Sequence, residues 1–360
     1  MSAWAALVPY AKSRMNLNPA ELGLVLLCLG VGSLIAMPVA GRLTSRFGCR
    51  VVIVSSGVIA SLVLPLLAIA AHPLLLVIAL SSFGAAIGTL DVSMNIQAVI
   101  VEKNQGRPLM SGFHGLFSVG GFVGAGGMAL MLSAGLRPLM ACVSMTVVIV
   151  GALCLAAPHL SQAAAAAERK TPAFAVPHGG VILLGIVCCV VFLAEGATLD
   201  WGALLLTMSG GFTPDHGGLG YALFAIAMTA GRLTGDRVIR RWGRKRVVAL
   251  GGLCAAAGFF IASLVPASAI ALAGFALIGI GASNIVPIVF TAAGRQEDMP
   301  AAAAISAVTT LGYAGLLAGP ALIGFVAHLS GLHVAFGGLG CAMLCVAASS
   351  RLAWLSQAEN

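Results

Sequence analysis

GAAIGTLDVSMNIQAVIVEKNQGRPLMSGFHGLFSVGGFVGA, residues 84–125, is two apolar helices joined by a short charged turn from Glu102 to Arg107. Asp91 sits well inside the first helix and His114 about two turns into the second. A carboxylate at bilayer depth is costly unless it is paired, hydrated or protonated, so an apolar helix that keeps one has a use for it. Gly84, Gly88, Asp91 and Asn95 recur at i, i+4, i+7 and i+11 and share one helical face. That face is small and polar, fit for a tight helix contact or for the wall of a water-filled cavity. At 1.5 Å per residue, Asp91 and His114 lie at similar depths, about 10–15 Å from the shared turn. Two readings of Asp91 stay open: a coupling or substrate residue, or a structural hydrogen-bonder to a neighbouring helix. For His114 the same two stand side by side.

Composition places this stretch in a membrane. The 360 residues are 60% hydrophobic and 8% charged, where a soluble domain carries roughly 25% charged residues. The 46 glycines suit close helix packing in lipid. The nine cysteines are scattered along apolar segments without a CxxC pair or a His/Cys cluster, so they read as small hydrophobes, with no disulfide, metal or cofactor expected. The net charge of +8 does not indicate nucleic acid; its placement reports orientation. No phosphate-binding G-x-x-x-x-G-K-[ST] loop is present, which disfavours ATP-driven transport. No Ser/His/Asp arrangement or paired metal ligands fall at one depth, so an enzyme is not expected.

Apolar runs of about 20 residues lie near 21–43, 51–71, 74–101, 108–133, 138–157, 180–208, 218–239, 247–265, 268–293, 301–327 and 334–354, after a short apolar piece at 1–11. If the spans alternate, sixteen of the 19 basic residues fall on one side, leaving Lys12, Arg14 and Arg137 opposite. The positive-inside rule makes that side cytoplasmic, together with the C-terminus. The polar interruption near mid-chain divides it into a helix bundle at 1–158, a cytoplasmic linker at 159–179 and a second bundle at 180–360.

The halves repeat at an offset of 195. GRLTSRFGCR at 41–50 lies over DRVIRRWGRK at 236–245, setting Arg42 on Arg237, Arg46 on Arg241, Gly48 on Gly243 and Arg50 on Lys245; Gly84 falls on Gly279. Equal topology in both halves means a parallel repeat about an axis normal to the membrane. Near the start, Trp4 aligns with Trp201. On that alignment residues 1–11 supply only half of a first span, so about 20 further residues, mostly apolar, are expected upstream of Met1, the alternative being a truncated remnant.

At this point the chain resembles the major facilitator superfamily over its whole length. The mark is the loop after each half's second helix, where the family has Gly, an acid, basic residues and Gly. The second copy has these parts in Gly235, Asp236, Arg237, Arg241, Gly243, Arg244 and Lys245. The first has Gly41, Arg42, Arg46, Gly48 and Arg50, with Ser45 where the family has the acid. The resemblance implies a cytoplasmic clamp in which Asp236 and nearby arginines hold neighbouring helices; a merely basic topology signal is the other reading. LDVSMNIQ followed by GFHGLFSVGG resembles the fucose–proton symporter branch and related bacterial sugar-transporter-like proteins. That likeness puts Asp91 in the place of the proton-coupling acid, Asn95 in that of its polar neighbour and His114 where the branch tends to have an amide.

Two further polar points lie in the second half. Glu195 is about 15 residues into the span at 180–208, cavity-lining or structural, while Asp200 near the span's end reads as a solvated end residue or a gate. Asn284 and Pro287 mark a polar, kink-prone point. The expected protein is all-α and membrane-integral: two pseudo-symmetric six-helix bundles, eleven full spans and a half. It is expected to act as a monomer, multi-pass in the bacterial inner membrane, moving a small polar solute by alternating access coupled to protons. A proton-driven drug or metabolite exporter and a transporter-like receptor without turnover are the alternatives.

Overall fold

The computed structural model describes residues 1–161, 174, 176–208, 212–213, 216–265, 268–297 and 299–351. Most of the linker expected at 159–179 lies outside the described residues. Among the described residues the regular structure is helical: α1 Ser2–Ala5, α2 Val8–Met15, α3 Pro19–Phe47, α4 Cys49–Ile69, α5 Pro73–Gln105, α6 Met110–Ser133 and α7 Pro138–Ala156 in the first half. The second half has α8 Gly180–Met208, α9 Leu219–Trp242, α10 Arg244–Leu264, α11 Ser268–Ala282, α12 Ile285–Ala293, α13 Ala301–Ser330 and α14 Leu332–Ser349.

Local chemistry sets the starts and stops. Asn18 and Glu21 form a capping box at α3: the Asn18 side chain accepts from the Glu21 N–H at 2.9 Å, and Glu21 Oε2 accepts from the Asn18 N–H at 2.9 Å. Arg14 closes the far end of α4, donating from Nε to the Ala70 carbonyl at 2.8 Å and from Nη2 to that of Leu67 at 2.9 Å, with Nη1 on Ala68. These carbonyls have no partner inside the helix, and a guanidinium meets both their hydrogen bonds and the negative helix end. Gly48 breaks α3 from α4 at φ 84, ψ 153, and Gly243 breaks α9 from α10 at φ 78, ψ 157. Such backbone is open to glycine and strained for other residues. The two glycines are 195 positions apart, so the repeat read in the sequence recurs as backbone geometry.

The repeat also recurs in packing. A Cβ on Gly84 would lie 1.9 Å from the Leu29 carbonyl oxygen, and one on Gly279 would lie 2.2 Å from that of Phe224. Both the glycines and the carbonyls they meet are again 195 apart. α5 thus rides on α3, and α11 on α9, backbone against backbone. Ser33 adds a hydroxyl bond to the Gly84 carbonyl at 2.8 Å, and Thr44 and Ser93 bond each other at 2.8 Å lower on the same pair. In lipid, dispersion between closely approaching backbones and hydroxyl bonds of this kind drive helix association. The small face at Gly84 and Gly88 is therefore a helix contact.

Among the described residues ten stretches are long and apolar enough to cross a membrane, α11 and α12 together making one of them. α9 is not among them, although it spans 24 residues, because its second half carries Arg232, Asp236, Arg237, Arg240 and Arg241. The last span but two is broken: α11 ends at Ala282 and α12 starts at Ile285, with Asn284 between them. The polar point at Asn284 and Pro287 is where the helix stops and restarts.

The chain forms two compact units: Met1–Gln97, Phe117–Val176 and Ala302–Ala307 in one; Ala98–Leu116, Pro177–Ala301 and Val308–Asn360 in the other. They depart from the halves 1–158 and 180–360 by two exchanged pieces. The end of α5 and start of α6 belong with the second half's helices, and the start of α13 with the first half's.

Gly84→Ala and Gly279→Ala should each lower stability by about 1–3 kcal/mol, because a methyl there forces two backbones apart. Gly23→Ala, with nothing within 4 Å of the added carbon, should be neutral or slightly stabilising. Unfolding temperatures in detergent compare the three; equal values would show that the helices separate without cost.

Candidate functional site

In the first unit Asp91 lies near the middle of α5, half-buried, and has no ion pair within that unit among the described residues. Asn95, one turn on, is buried and its Nδ2 donates to the Asp91 carbonyl oxygen at 3.0 Å. The two side chains follow one another along one face, as the spacing predicts. An ionisable group mid-span with a half-exposed side chain faces protein or water, since hydrocarbon does not solvate it.

In the second unit a separate polar group gathers around α9. The Arg232 Nη2 donates to Glu195 Oε1 at 3.3 Å, joining α9 to α8. His114, on the first turns of α6, stacks on Phe290 of α12 with ring centroids 5.6 Å apart and planes at 24°. The Arg232 guanidinium is within Coulomb range of the His114 ring. Asn284 is buried between the broken helices, its Nδ2 donating to the Gly231 carbonyl at 3.1 Å and the Ser283 hydroxyl at 2.9 Å. Its Oδ1 occupies the place a Cβ on Gly235 would take, 1.8 Å from that point. Gly235 is thus a seat for Asn284. His114, Glu195 and Asn284 all belong to this unit and Asp91 and Asn95 to the other. Asp200 is exposed near the end of α8.

The basic end of the second unit holds a carboxylate clamp. The first four N–H groups of an α-helix lack intrahelical acceptors. In α6 those of Leu109 and Met110 donate to Glu102 Oε2, at 2.8 and 2.9 Å. Those of Ser111 and Gly112 donate to Asp236 Oδ1 and Oδ2, at 3.1 and 2.9 Å. Two carboxylates, one from α5 and one from α9, thus satisfy all four donors and complement the positive helix end. The other oxygen of Glu102 accepts from the Thr291 hydroxyl at 2.8 Å and faces the Arg244 Nη2 at 3.6 Å. Lys103 donates to the carbonyl of Gly294 beyond α12. A single buried acid therefore gathers α5, α6, α10 and α12.

The clamp differs from the one expected in its partners. Asp236 binds backbone N–H groups of α6, and among the described residues it makes no ion pair with an arginine. Of the basic residues named with it, Arg237, Arg241 and Lys245 are exposed, and Arg244 turns to Glu102. The first copy is built of small groups. Gly41 abuts the Ala302 carbonyl, 2.5 Å from an added Cβ, and Ser306 bonds the Met37 carbonyl. Arg42 and Arg46 are exposed, the latter 5.1 Å over the Phe47 ring, and the Arg50 N–H donates to the Ser161 carbonyl at 3.2 Å.

Two residues escaped the sequence reading. Glu102 looks like one more solvated charge in a turn; its signal was its place seven residues before a helix start. Arg232 was counted only as a topological cation; its signal was a second GRLT, at 231–234, inside an apolar run. Among the described residues no three His, Cys, Asp or Glu side chains are placed to hold a metal.

An all-helical membrane protein with a parallel internal repeat and a clamp at the basic end has close counterparts. Residues 1–296 match the sequence model of the Major Facilitator Superfamily. An MFS-type transporter of Yersinia pestis is 54% identical over 351 residues, 98% of this chain and 91% of that protein. The membrane protein MosC of Rhizobium meliloti is 33% identical over 336 residues, 92% of this chain and 81% of that one. Among solved structures, the E. coli fucose:proton symporter FucP superposes with a TM-score of 0.76 at 16% identity, covering 97% of this chain and 94% of its own. The chain belongs to the major facilitator superfamily, a family of transporters rather than enzymes.

Removing either carboxylate should release its own pair of amides. In hydrogen exchange, Asp236→Ala should speed Ser111 and Gly112, and Glu102→Ala should speed Leu109 and Met110, each about five- to thirtyfold, corresponding to about 1–2 kcal/mol per lost cap. Unchanged exchange in both variants would mean the clamp holds nothing.

Proposed function

We propose that the protein is a secondary active transporter that moves a small polar solute across the bacterial inner membrane by alternating access, coupled to protons. The observation that carries the reading is Asp91: a half-buried acid at the centre of a membrane helix, without a cation beside it in its unit. An acid so placed can take up a proton from one side and release it to the other without breaking a structural ion pair. Its likeness in place to the coupling acid of the fucose–proton symporter branch points the same way.

The one-sided basic residues support a cytoplasmic position for the clamp and the C-terminus. Glu102 and Asp236 then belong to the cytoplasmic gate. Solute passage to that side requires α6 to leave the two carboxylates, so the clamp is a latch of the state closed to the cytoplasm. His114, on the first turns of α6 and stacked on Phe290 of α12, travels with this gate. A sugar or related metabolite is the solute class that this architecture suits.

Proteoliposomes containing a pH-sensitive dye and exposed to L-fucose, D-xylose, D-glucose or D-glucuronate test the reading. A solute should drive proton entry in the parent, and Asp91→Asn should lose that entry while keeping exchange of the same solute across the membrane. His114→Gln should be milder, lowering the rate without uncoupling proton entry from the solute. If Asp91→Asn moves protons with solute as the parent does, Asp91 is not the coupling residue.

A further inference from the structure

The Glu195–Arg232 pair takes no part in the clamp, and its two members are held unequally. The Arg232 side chain is 9% exposed and that of Glu195 is 21% exposed. The cation is the more deeply buried member, and the carboxylate is the more accessible one. Their contact is a single one of 3.3 Å, longer than the 2.7–2.9 Å of a strong charge-assisted bond. Glu195 makes no other hydrogen bond or ion pair among the described residues. A guanidinium offers a planar fork of five donors that fits both oxygens of a carboxylate, and Glu195 engages it through one oxygen. The exposed part of Glu195 lies mid-span, where a charge faces water or solute rather than hydrocarbon.

The surroundings suit a solute as well. On α8, Phe192 precedes Glu195 by one turn and meets Tyr313 of α13 edge-on, with centroids 5.8 Å apart. Tyr221 of α9 lies within Coulomb range of Glu195, Arg232 and Asp200. His114 of α6 also lies within reach of the Arg232 charge.

We propose that Arg232 is the anchor for a carboxylate on the transported solute, and that Glu195 is the resident carboxylate which the solute displaces. The proposal rests on the reading of the chain as a solute–proton transporter and gives its solute a chemical class, small polar carboxylates. The resident partner sets that class: the site already holds a carboxylate on the guanidinium when no solute is bound. On binding, the solute's two oxygens take the guanidinium N–H donors and the Glu195–Arg232 contact breaks. Glu195, left at bilayer depth without a cation, takes one proton from water onto an oxygen. The local charge is zero before and after, so one anion and one proton occupy the site together.

The test uses the purified full chain in detergent and its unfolding temperature in sodium acetate, D-gluconate or D-glucuronate. Controls are sodium chloride at equal ionic strength and D-glucose. Glu195→Gln, which keeps the shape of the protonated acid, should raise affinity for at least one of the three carboxylates about tenfold over the parent. Arg232→Gln should abolish the response. Should that variant fail to fold with Glu195 left unpaired, Glu195→Gln combined with Arg232→Gln removes both charges and serves instead. A combined variant that still responds to carboxylates as the parent does overturns the proposal, and so does a Glu195→Gln variant that responds to none of the three. Proteoliposomes separate this from the transport reading. Proton entry driven by D-glucose and not by the acids keeps transport and sinks the carboxylate anchor. Arg232-dependent binding of the acids with no proton entry from any solute keeps the anchor and sinks coupled transport.

Discussion

The contact on which the rest depends is backbone against backbone: Gly84 on the Leu29 carbonyl and Gly279 on that of Phe224. A bilayer offers no hydrophobic force between helices, because lipid is as apolar as leucine. Association must come from close approach and from the few polar bonds that approach allows. At these two glycines the helices come as near as helices can, and hydroxyl bonds such as Ser33 to the Gly84 carbonyl follow from that nearness. The polar residues Asp91 on α5 and Arg232 on α9 lie further along the same packed helices, and Arg232 is also paired with Glu195 of α8.

The two halves repeat the contact and differ in what holds the loop after their second helix. In the second half, Glu102 and Asp236 take all four free N–H groups of α6. In the first, Gly41 abuts the start of α13 and Ser306 bonds back to α3, with no carboxylate in the repeat loop. A carboxylate on a helix start is a strong but breakable bond, since water can replace it when the helix withdraws. Close packing of small groups is less directional and releases without stranding a charge. The two repeat loops are therefore held differently, the second by carboxylates on a helix start and the first by close packing of small groups.

Charge placement divides the chain by use. Basic residues at the helix junctions are largely exposed. Arg232 and Arg244 instead pair with carboxylates inside the fold, half-buried Glu195 and buried Glu102, and so join helices. Burial of an ion pair is costly enough that each such pair asks for a reason. For Glu102 the reason is visible in its partners, two amides, a hydroxyl and a guanidinium.

By itself the sequence determined the class, the repeat and the face. Its apolar fraction forces membrane helices, since backbone at bilayer depth must bond internally. The offset of 195 was legible because the glycine that breaks α3 from α4 and its counterpart after α9 cannot be replaced without strain, and so they mark the register. Asn284 with Pro287 announced the break between α11 and α12 through the same local chemistry. What only the tertiary structure decided was partnership. Glu102 reads as a turn charge until α6, α10 and α12 are folded around it, and Arg232 reads as a topology signal until Glu195 stands across from it. Asp236 was legible as the acid of a repeat loop, but its amide partners on α6 were not. Such contacts join residues 37, 125 and 189 positions apart in the chain. Local periodicity carries no information over those separations, because it is the packing of whole helices that brings the groups within a bond's length.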